Sequence, residues 1–473
     1  MKFEKQVSLK WAIALVLIAC LVSSSIVYYV FAVSPSSTPT ISGGIYPGAP
    51  SYTIWCEGSN YFAKDANGAI DYSGTNASQI IQEVIDLPTT KAIFFKAGDY
   101  YLDTGLSFKS GLIVYGEGGY EDALTTQWGT NFIYTGTEIC ISINGTGAFD
   151  GGYYLHNLHD ITIEHLRIIG TDGKVGIYVD NSTRIKIHDV RIQNFTHGND
   201  VWFFGATGLV IRRSWTAFEV TASSFVYNCY GIQVCNSNLI LLENNEIVDN
   251  NKTGLMLISG CGNNIIANNV ELNGEEGIWV RGSSEAHIYG NWISRNGYSG
   301  IYIANSTITG AGDPPEIVSV AEGNLISGNR FDTNLLLGGP AQLQVYSGTY
   351  NHIESNYFTG ASKSIQLDSY AKYTYVYFNP SSDTAFITNN GYNSKIKYNP
   401  NYVTENSGTV TMSASTTVTF NHGLAGTPTG VWASFSSTAI TGWTWTATST
   451  SITITVTPSG IYPTVYWHAE YNP

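Results

Sequence analysis

GIQVCNSNLILLENNEIVDNNKT (231–253), GLMLISGCGNNIIANNVELNGEE (254–276), GIWVRGSSEAHIYGNWISRNGYS (277–299) and GIYI (300–303) are successive copies of one pattern. Each opens Gly-apolar-x-apolar, as GLVI does at Gly208, and the glycines at 208, 231, 254, 277 and 300 stand 23 residues apart. Apolar residues return eleven and sixteen places after the glycine, at Leu242 and Ile247, Ile265 and Val270, Ile288 and Ile293. GIYV at Gly176 fits the same template, with Ile187 and Ile192 in register. Three β-branched clusters per unit, each too short for a helix, read as three strands separated by turns. One such unit cannot bury its inward side chains. Copies stacked at about 4.8 Å can, because their Ile, Val and Leu then share an interior. The spacing predicts an all-β chain whose middle is a right-handed parallel β-helix, with Ile232, Leu255, Ile278 and Ile301 in one buried row.

Asn245, Asn268 and Asn291 stand fourteen places after their glycines, and Asn329 and Asn356 look equivalent after insertions. Asparagine tolerates the left-handed turn, and stacked amides hydrogen-bond along the coil axis, so this column reads as a structural ladder. Leucine-rich repeats need a Leu-rich consensus that is missing here, and a propeller blade needs about 40 residues or more. Ala77 to Leu87 sets Ile80, Ile81, Val84 and Ile85 on one helical face, the expected cap over the first rung. From about Glu405 the 23-residue period is lost, and TVTMSASTTVTF, GVWASFSS, GWTWTATS and SITITVT alternate with period two. That alternation predicts a small antiparallel sheet or sandwich. Its Trp432, Trp443, Trp445 and Trp467 suit either a core or a contact surface.

Upstream of the folded part, Lys2, Lys5 and Lys10 precede an uncharged run, 11–33, long enough to cross a bilayer with its N-terminus in the cytoplasm. A cleaved signal peptide ending at Val30-Phe31-Ala32 is the rival expectation. The expected organisation is a basic cytoplasmic flank (1–10), a transmembrane helix or signal anchor (11–33), a Pro/Gly/Ser tether (34–50), the β-helix (51–403, helical cap near 77–87) and a sandwich-like C-terminal domain (404–473). The body would then be extracytoplasmic, at the cell surface, with the membrane as one partner. A net charge of -14 and the lack of a basic stripe argue against nucleic acid. Beyond the span lie Cys56, Cys140, Cys229, Cys235 and Cys261, an odd number, for which a Cys235–Cys261 bridge and buried free thiols are both open. No Cys or His spacing suggests a metal centre.

AKDANG (63–68), ASQIIQEVIDL (77–87), AIFFKAGDYYL (92–102) and LSFKSGLIVYGEGG (106–119) together resemble the opening of the pectate-lyase-like, right-handed β-helix superfamily, and Gly176 to Asn379 looks like its generic repeats. The resemblance implies a pectin-lyase-like fold and chemistry directed at sugars. It implies no particular reaction, since the superfamily's acidic motifs are replaced here, for example by Asn67-Gly68-Ala69-Ile70-Asp71. NHGLAGTPTGVWASFSS (421–437) and PTVYWHAEY (463–471) look like a small β domain that closes many phage-fibre and secreted proteins.

Strand alternation points the residue two after each repeat glycine outward, giving the column Tyr178, Val210, Gln233, Met256, Trp279, Tyr302. Trp279 and Tyr302, on adjacent rungs, are expected to form a flat aromatic platform for a sugar ring, with Tyr178 and Arg281 beside the same path. Four places after the glycine stand Asp180, Arg212, Cys235, Ile258 and Arg281. The unit between Asp180 and Arg212 is longer than the rest and carries His197, Asp200 and Trp202. A loop with titratable groups over a rigid strand face is where catalysis usually sits. Were the chain a polysaccharide lyase or glycoside hydrolase, Arg212 would be base or carboxylate clamp, Asp180 and Asp200 carboxyls or calcium ligands, and His197 proton carrier. A surface ion pair beside a loop is the plainer account of the same residues. The sequence thus predicts a membrane-anchored β-helix that binds, and on one account cleaves, a polysaccharide or surface glycan, with calcium the one cofactor left open. A non-catalytic stalk or adhesion protein is the alternative from another class. The oligomeric state is left open.

Overall fold

Side chains 23 residues apart do lie over one another. Ile232 pairs with Leu255, Leu255 with Ile278 and Ile278 with Ile301 in successive parallel strands, and all four are fully buried. The computed structural model describes residues 49–118, 129–145, 149–150, 153–154, 158–196, 206–308, 317–383, 385–400, 402–413, 415–457 and 459–471. Within them the repeat builds a parallel β-helix with three ladders. The strands that open each repeat form an eleven-stranded sheet running from Leu106–Ser107 through Tyr230–Cys235, Leu255–Ile258, Ile278–Arg281 and Ile301–Ala304 to Ala385–Asn389. A second ladder stacks Asn238–Glu243, Asn264–Ile266 and His287–Tyr289, and a third stacks Glu246–Val248, Asn269–Glu271 and Trp292–Ser294. Leu242, Ile265 and Ile288 fill the interior from the second, and Ile247, Val270 and Ile293 from the third. Burying each such side chain stabilises the coil by about 1.5–3 kcal/mol.

Sharp corners join the ladders. Asn244, Ala267 and Gly290 occupy one corner on successive rungs with φ of 55°, 54° and 67°. Beside it runs the expected asparagine ladder: Asn245 Nδ2 donates to Asn268 Oδ1 (3.0 Å), Asn268 to Asn291 (3.0 Å), Asn291 to Asn329 (2.9 Å) and Asn329 to Asn356 (2.9 Å). The row continues through Asn379 to Asn399. Each amide also serves backbone that the corner leaves exposed, as Asn268 Nδ2 does for the Leu242 carbonyl at 2.9 Å. A second row, Asn250, Asn273, Asn296 and Asn334, ends on Gln342 and had no counterpart in the sequence reading.

The helix Ala77–Asp86 starts on Asn76, whose Oδ1 accepts the Gln79 amide at 2.9 Å, and buries Ile80, Ile81, Val84 and Ile85. It packs on Asn60–Asp65, Gly98–Leu102 and Leu106–Ser107, closing the first rungs. From Glu405 onward two antiparallel three-stranded sheets follow, Glu405–Thr411 with Thr464–Glu470 and Gly430–Phe435, and Thr417–Asn421 with Ser451–Thr457 and Gly442–Ala447. Ile452, Ile454, Val465 and Trp467 form their shared core, while Trp432 lies exposed. The described cysteines are all free thiols, and Cys235 is fully buried, so the Cys235–Cys261 bridge is not formed. Among the described residues no helix is long and apolar enough to cross a membrane; the expected span, 11–33, lies outside them.

Candidate functional site

The outward face of the eleven-stranded sheet carries the two predicted columns, and the pairings put them in line. Tyr178 lies opposite Val210, then Gln233, Met256, Trp279, Tyr302, Gln344 and Gln366. Direction and exposure part company here. On the first four of these rungs the outward side chains are buried, Met256, Cys235 and Ile258 completely. The face opens only from Trp279 onward.

Asp180 and Arg212 sit on the closed part, 2% and 1% exposed. Asp180 is gripped by Arg213, which donates from Nε to Oδ1 at 2.7 Å and from its second nitrogen to Oδ2. Tyr178 donates to the same carboxylate at 3.1 Å, and Arg212 Nη1 reaches the Tyr178 hydroxyl at 3.3 Å. Burial, followed by the Asp180 charge, raises the Tyr178 phenol. The structure thus brings Asp180, Arg212 and Tyr178 together as predicted neighbours, but in a sealed cluster, not on an open surface. The sequence reading passed over the clamp itself, Arg213, which leaves the strand with a φ of 45° and so turns away from the strand alternation. His197, Asp200 and Trp202 lie outside the described residues.

The open part is aromatic and polar. Trp279 and Tyr302 are neighbours with ring centroids 5.8 Å apart, but they meet edge to face at 62°, so the flat platform does not form. The Arg281 guanidinium lies 5.0 Å over the Trp279 ring and occupies the face on which coplanar stacking would depend. The run continues from Tyr302 to Tyr346 (6.2 Å) and Tyr346 to Tyr370 (5.7 Å), with Tyr346 43% and Tyr370 62% exposed. Gln344 and Gln366 follow Tyr302 in the column, and both donate to the Asp368 carboxylate. Glu276 flanks the run, accepting from the Thr253 hydroxyl at 3.2 Å. Burial, then the neighbouring Glu275, holds the Glu276 carboxyl above the usual carboxylate range. Tyr302 is pushed up to about 12 by burial, and by the charges of Tyr346, Glu276 and Asp368. Tyr346, Tyr370, Gln344, Gln366 and Asp368 were missed because the insertion after Tyr302 breaks the 23-residue count. LQV (343–345) and IQL (365–367) keep the apolar-x-apolar signature that would have found them.

A profile of the family described as periplasmic copper-binding protein (NosD) matches residues 130–310 and 219–394, together more than half of the chain. The chain belongs to the NosD family. That family is described as periplasmic, which agrees with an extracytoplasmic chain. Among solved structures, the Dettilon tailspike protein is similar at 12% identity with a TM-score of 0.51, over 80% of this chain and 88% of its own. The A-module of a mannuronan C-5 epimerase from Azotobacter vinelandii is 16% identical (TM-score 0.47, 68% of this chain and 95% of its own). DFA-IIIase from Arthrobacter chlorophenolicus without its lid is 14% identical (TM-score 0.47, 68% and 91%). No curated protein matches the sequence. With the NosD match, the tailspike likeness establishes the fold as the pectate-lyase-like, right-handed parallel β-helix.

Copper, named in the NosD description, asks for converging thiolate, thioether or imidazole donors. Among the described residues no three His, Cys, Asp or Glu side chains converge to hold a metal ion. The neighbouring soft donors Cys235 and Met256 are sealed with Tyr230 and Ile258, and burial pushes the Cys235 thiol up to about 12. The donors of the described residues do not fit a copper site.

Proposed function

We propose that this NosD-family chain is a polysaccharide-binding β-helix held at the outer surface of a membrane by residues 11–33, with 34–50 as tether, 51–403 as the binding body and 404–473 as a terminal β domain. One observation carries the binding assignment: the run Trp279, Tyr302, Tyr346 and Tyr370, flanked by Arg281, Gln344, Gln366 and Asp368. Aromatic surfaces set along a line, with amide, guanidinium and carboxylate groups beside them, suit an extended glycan, whose rings offer apolar C–H faces and hydroxyl edges. The test is glycan affinity of the Trp279→Ala, Tyr302→Ala double variant against the native chain over a panel of neutral and acidic polysaccharides. A loss of about tenfold or more is expected. Unchanged affinity rejects the site.

Glu276 favours cleavage as a second reading. Burial raises its carboxyl above the usual carboxylate range, and both it and Asp368 act on Tyr302, so two carboxyl groups border the run, as acid and base chemistry on glycans requires. The Asp180 cluster supports this reading less, because its carboxylate is already saturated by Arg213 and Tyr178. Reducing or unsaturated ends released by the native chain with calcium, and lost in Glu276→Gln, are the expected products. A native chain that releases none is a binder or stalk.

A further inference from the structure

Where the last strand of the coil, Lys395–Lys397, meets the first strand of the terminal sheets, Glu405–Thr411, the surface folds into a cavity of about 600 Å³. That is the size of a small-molecule cleft, for which roughly 300–1,000 Å³ is usual. It lies on the ladder of Tyr375 and Lys395, a different side of the coil from the Trp279 run. From the coil come Tyr373, Tyr375, Lys395 and Lys397, and from the terminal sheets Glu405 and Glu470. Each tyrosine is braced by its neighbour one rung back. Tyr373 stacks on Tyr350 at 5.1 Å and 9°, and Tyr375 on His352 at 4.7 Å and 27°. The rings are thereby fixed before any ligand arrives, which lowers the ordering cost of binding.

The charges in the cleft cancel. Lys397 is paired with Glu405 and is raised first by that hydrogen bond, with Glu470 adding to the effect, while Lys395 lies 5.8 Å from the Tyr375 ring centre. Two ammonium and two carboxylate groups leave no net field to hold an ion. They do leave donors and acceptors side by side next to ring surface, as a molecule rich in hydroxyls and poor in charge requires. We infer that this junction is a second saccharide site, specific for neutral sugars, separate from the Trp279 run and independent of it.

Calorimetric titration of the full chain with cellopentaose, maltopentaose and mannopentaose, and with trigalacturonate as the acidic probe, tests this. At least one neutral probe is expected to bind with an affinity that stays constant from low to high salt and falls about tenfold or more in Tyr373→Ala, Tyr375→Ala. Trp279→Ala, Tyr302→Ala should leave that binding intact, which separates this site from the Trp279 run. Should the tyrosine double variant lose its circular dichroism signature, Glu470→Gln replaces it, with a severalfold loss expected. The proposal is overturned if no neutral probe binds. It is equally overturned if trigalacturonate binds better and salt removes it, or if the Trp279, Tyr302 variant abolishes the binding while the junction variants spare it.

Discussion

Asp160 and Arg184 occupy the same corner of the coil as Tyr350 and Tyr373 many rungs later. All four have φ between 51° and 58°. The first two form an ion pair, with Nε to Oδ1 at 2.6 Å, and the last two a parallel ring stack. The next corner repeats the contrast. His165 and Asp189 meet at 2.7 Å, whereas Phe378 and Tyr398 stack at 5.3 Å and 14°, and these four have φ between 51° and 59°. Left-handed backbone costs a residue with a side chain about 1–2 kcal/mol, and both ends of the coil bear it. The corner is therefore set by the stacking of rungs, and the contact made there is free to be ionic or aromatic. One backbone column carries charge chemistry near the N-terminal rungs and ring surface near the C-terminal ones.

If the scaffold and the corners are independent in this way, changes inside should far outweigh changes at the corners. Asn268→Ala strips the ladder contacts to Asn245 and Asn291 and leaves the Leu242 carbonyl buried without its donor. About 2–5 kcal/mol of stability should be lost, read by urea unfolding. Ile278→Ala, fully buried, should cost about 2–5 kcal/mol in the same assay. A corner substitution that cost as much would break the comparison.

The charged corner should also respond to pH where the aromatic one does not. The hydrogen bond that the imidazole donates to Asp189 comes first among the influences that raise His165 above 6.5, with burial opposing it and Glu164 and Lys186 acting in opposite senses. A raised histidine stabilises the fold fully below its unfolded pKa, and that stabilisation fades as pH climbs through the folded value. The gap in melting temperature between the native chain and His165→Gln should be widest near about pH 6 and close by about pH 9. A gap that widens with rising pH would contradict the assignment. Phe378→Ala, Tyr398→Ala removes a stack whose rings are 57% and 63% exposed, so the expected loss is about 0.5–1.5 kcal/mol without pH dependence. Smallest of all, Tyr350→Asp with Tyr373→Arg transplants the N-terminal pair onto the C-terminal corner and should change stability by about 1 kcal/mol or less.

The parts of this molecule legible in the sequence are those where one residue type has one physical use. Ile232, Leu255, Ile278 and Ile301 fill an interior, Asn245, Asn268 and Asn291 form a buried amide row beside a corner, and spacing alone places both sets. The second asparagine row, at Asn250, Asn273 and Asn296, was equally periodic and was overlooked beside the first. The site was harder to read, for two physical reasons. Alternation tells which way Tyr178 or Met256 points and says nothing of what lies over it, so a column read as open surface is buried at four of its six positions. And alternation does not extend past the strand end, so Arg213, which grips Asp180 from there, stands in no column. Trp279 and Tyr302 were found as neighbours because they share a column, while their tilt, and the Arg281 guanidinium over one Trp279 face, are not read from a column.

The asparagine row also bears on how such a chain can change its length. Between Asn291 and Asn329 the sequence takes 38 residues for one step, against 23 from Asn268 to Asn291, yet the amide contact is the same to within a tenth of an ångström. Where the step is longer, Ser306–Ile308 pairs antiparallel with Ile317–Ser319, and the coil resumes as though nothing had been added. A whole turn such as 254–276 is thus a cassette with matching ends, open to duplication or excision without disturbing what lies above and below. The length of the coil becomes a property that evolution can adjust by counting turns.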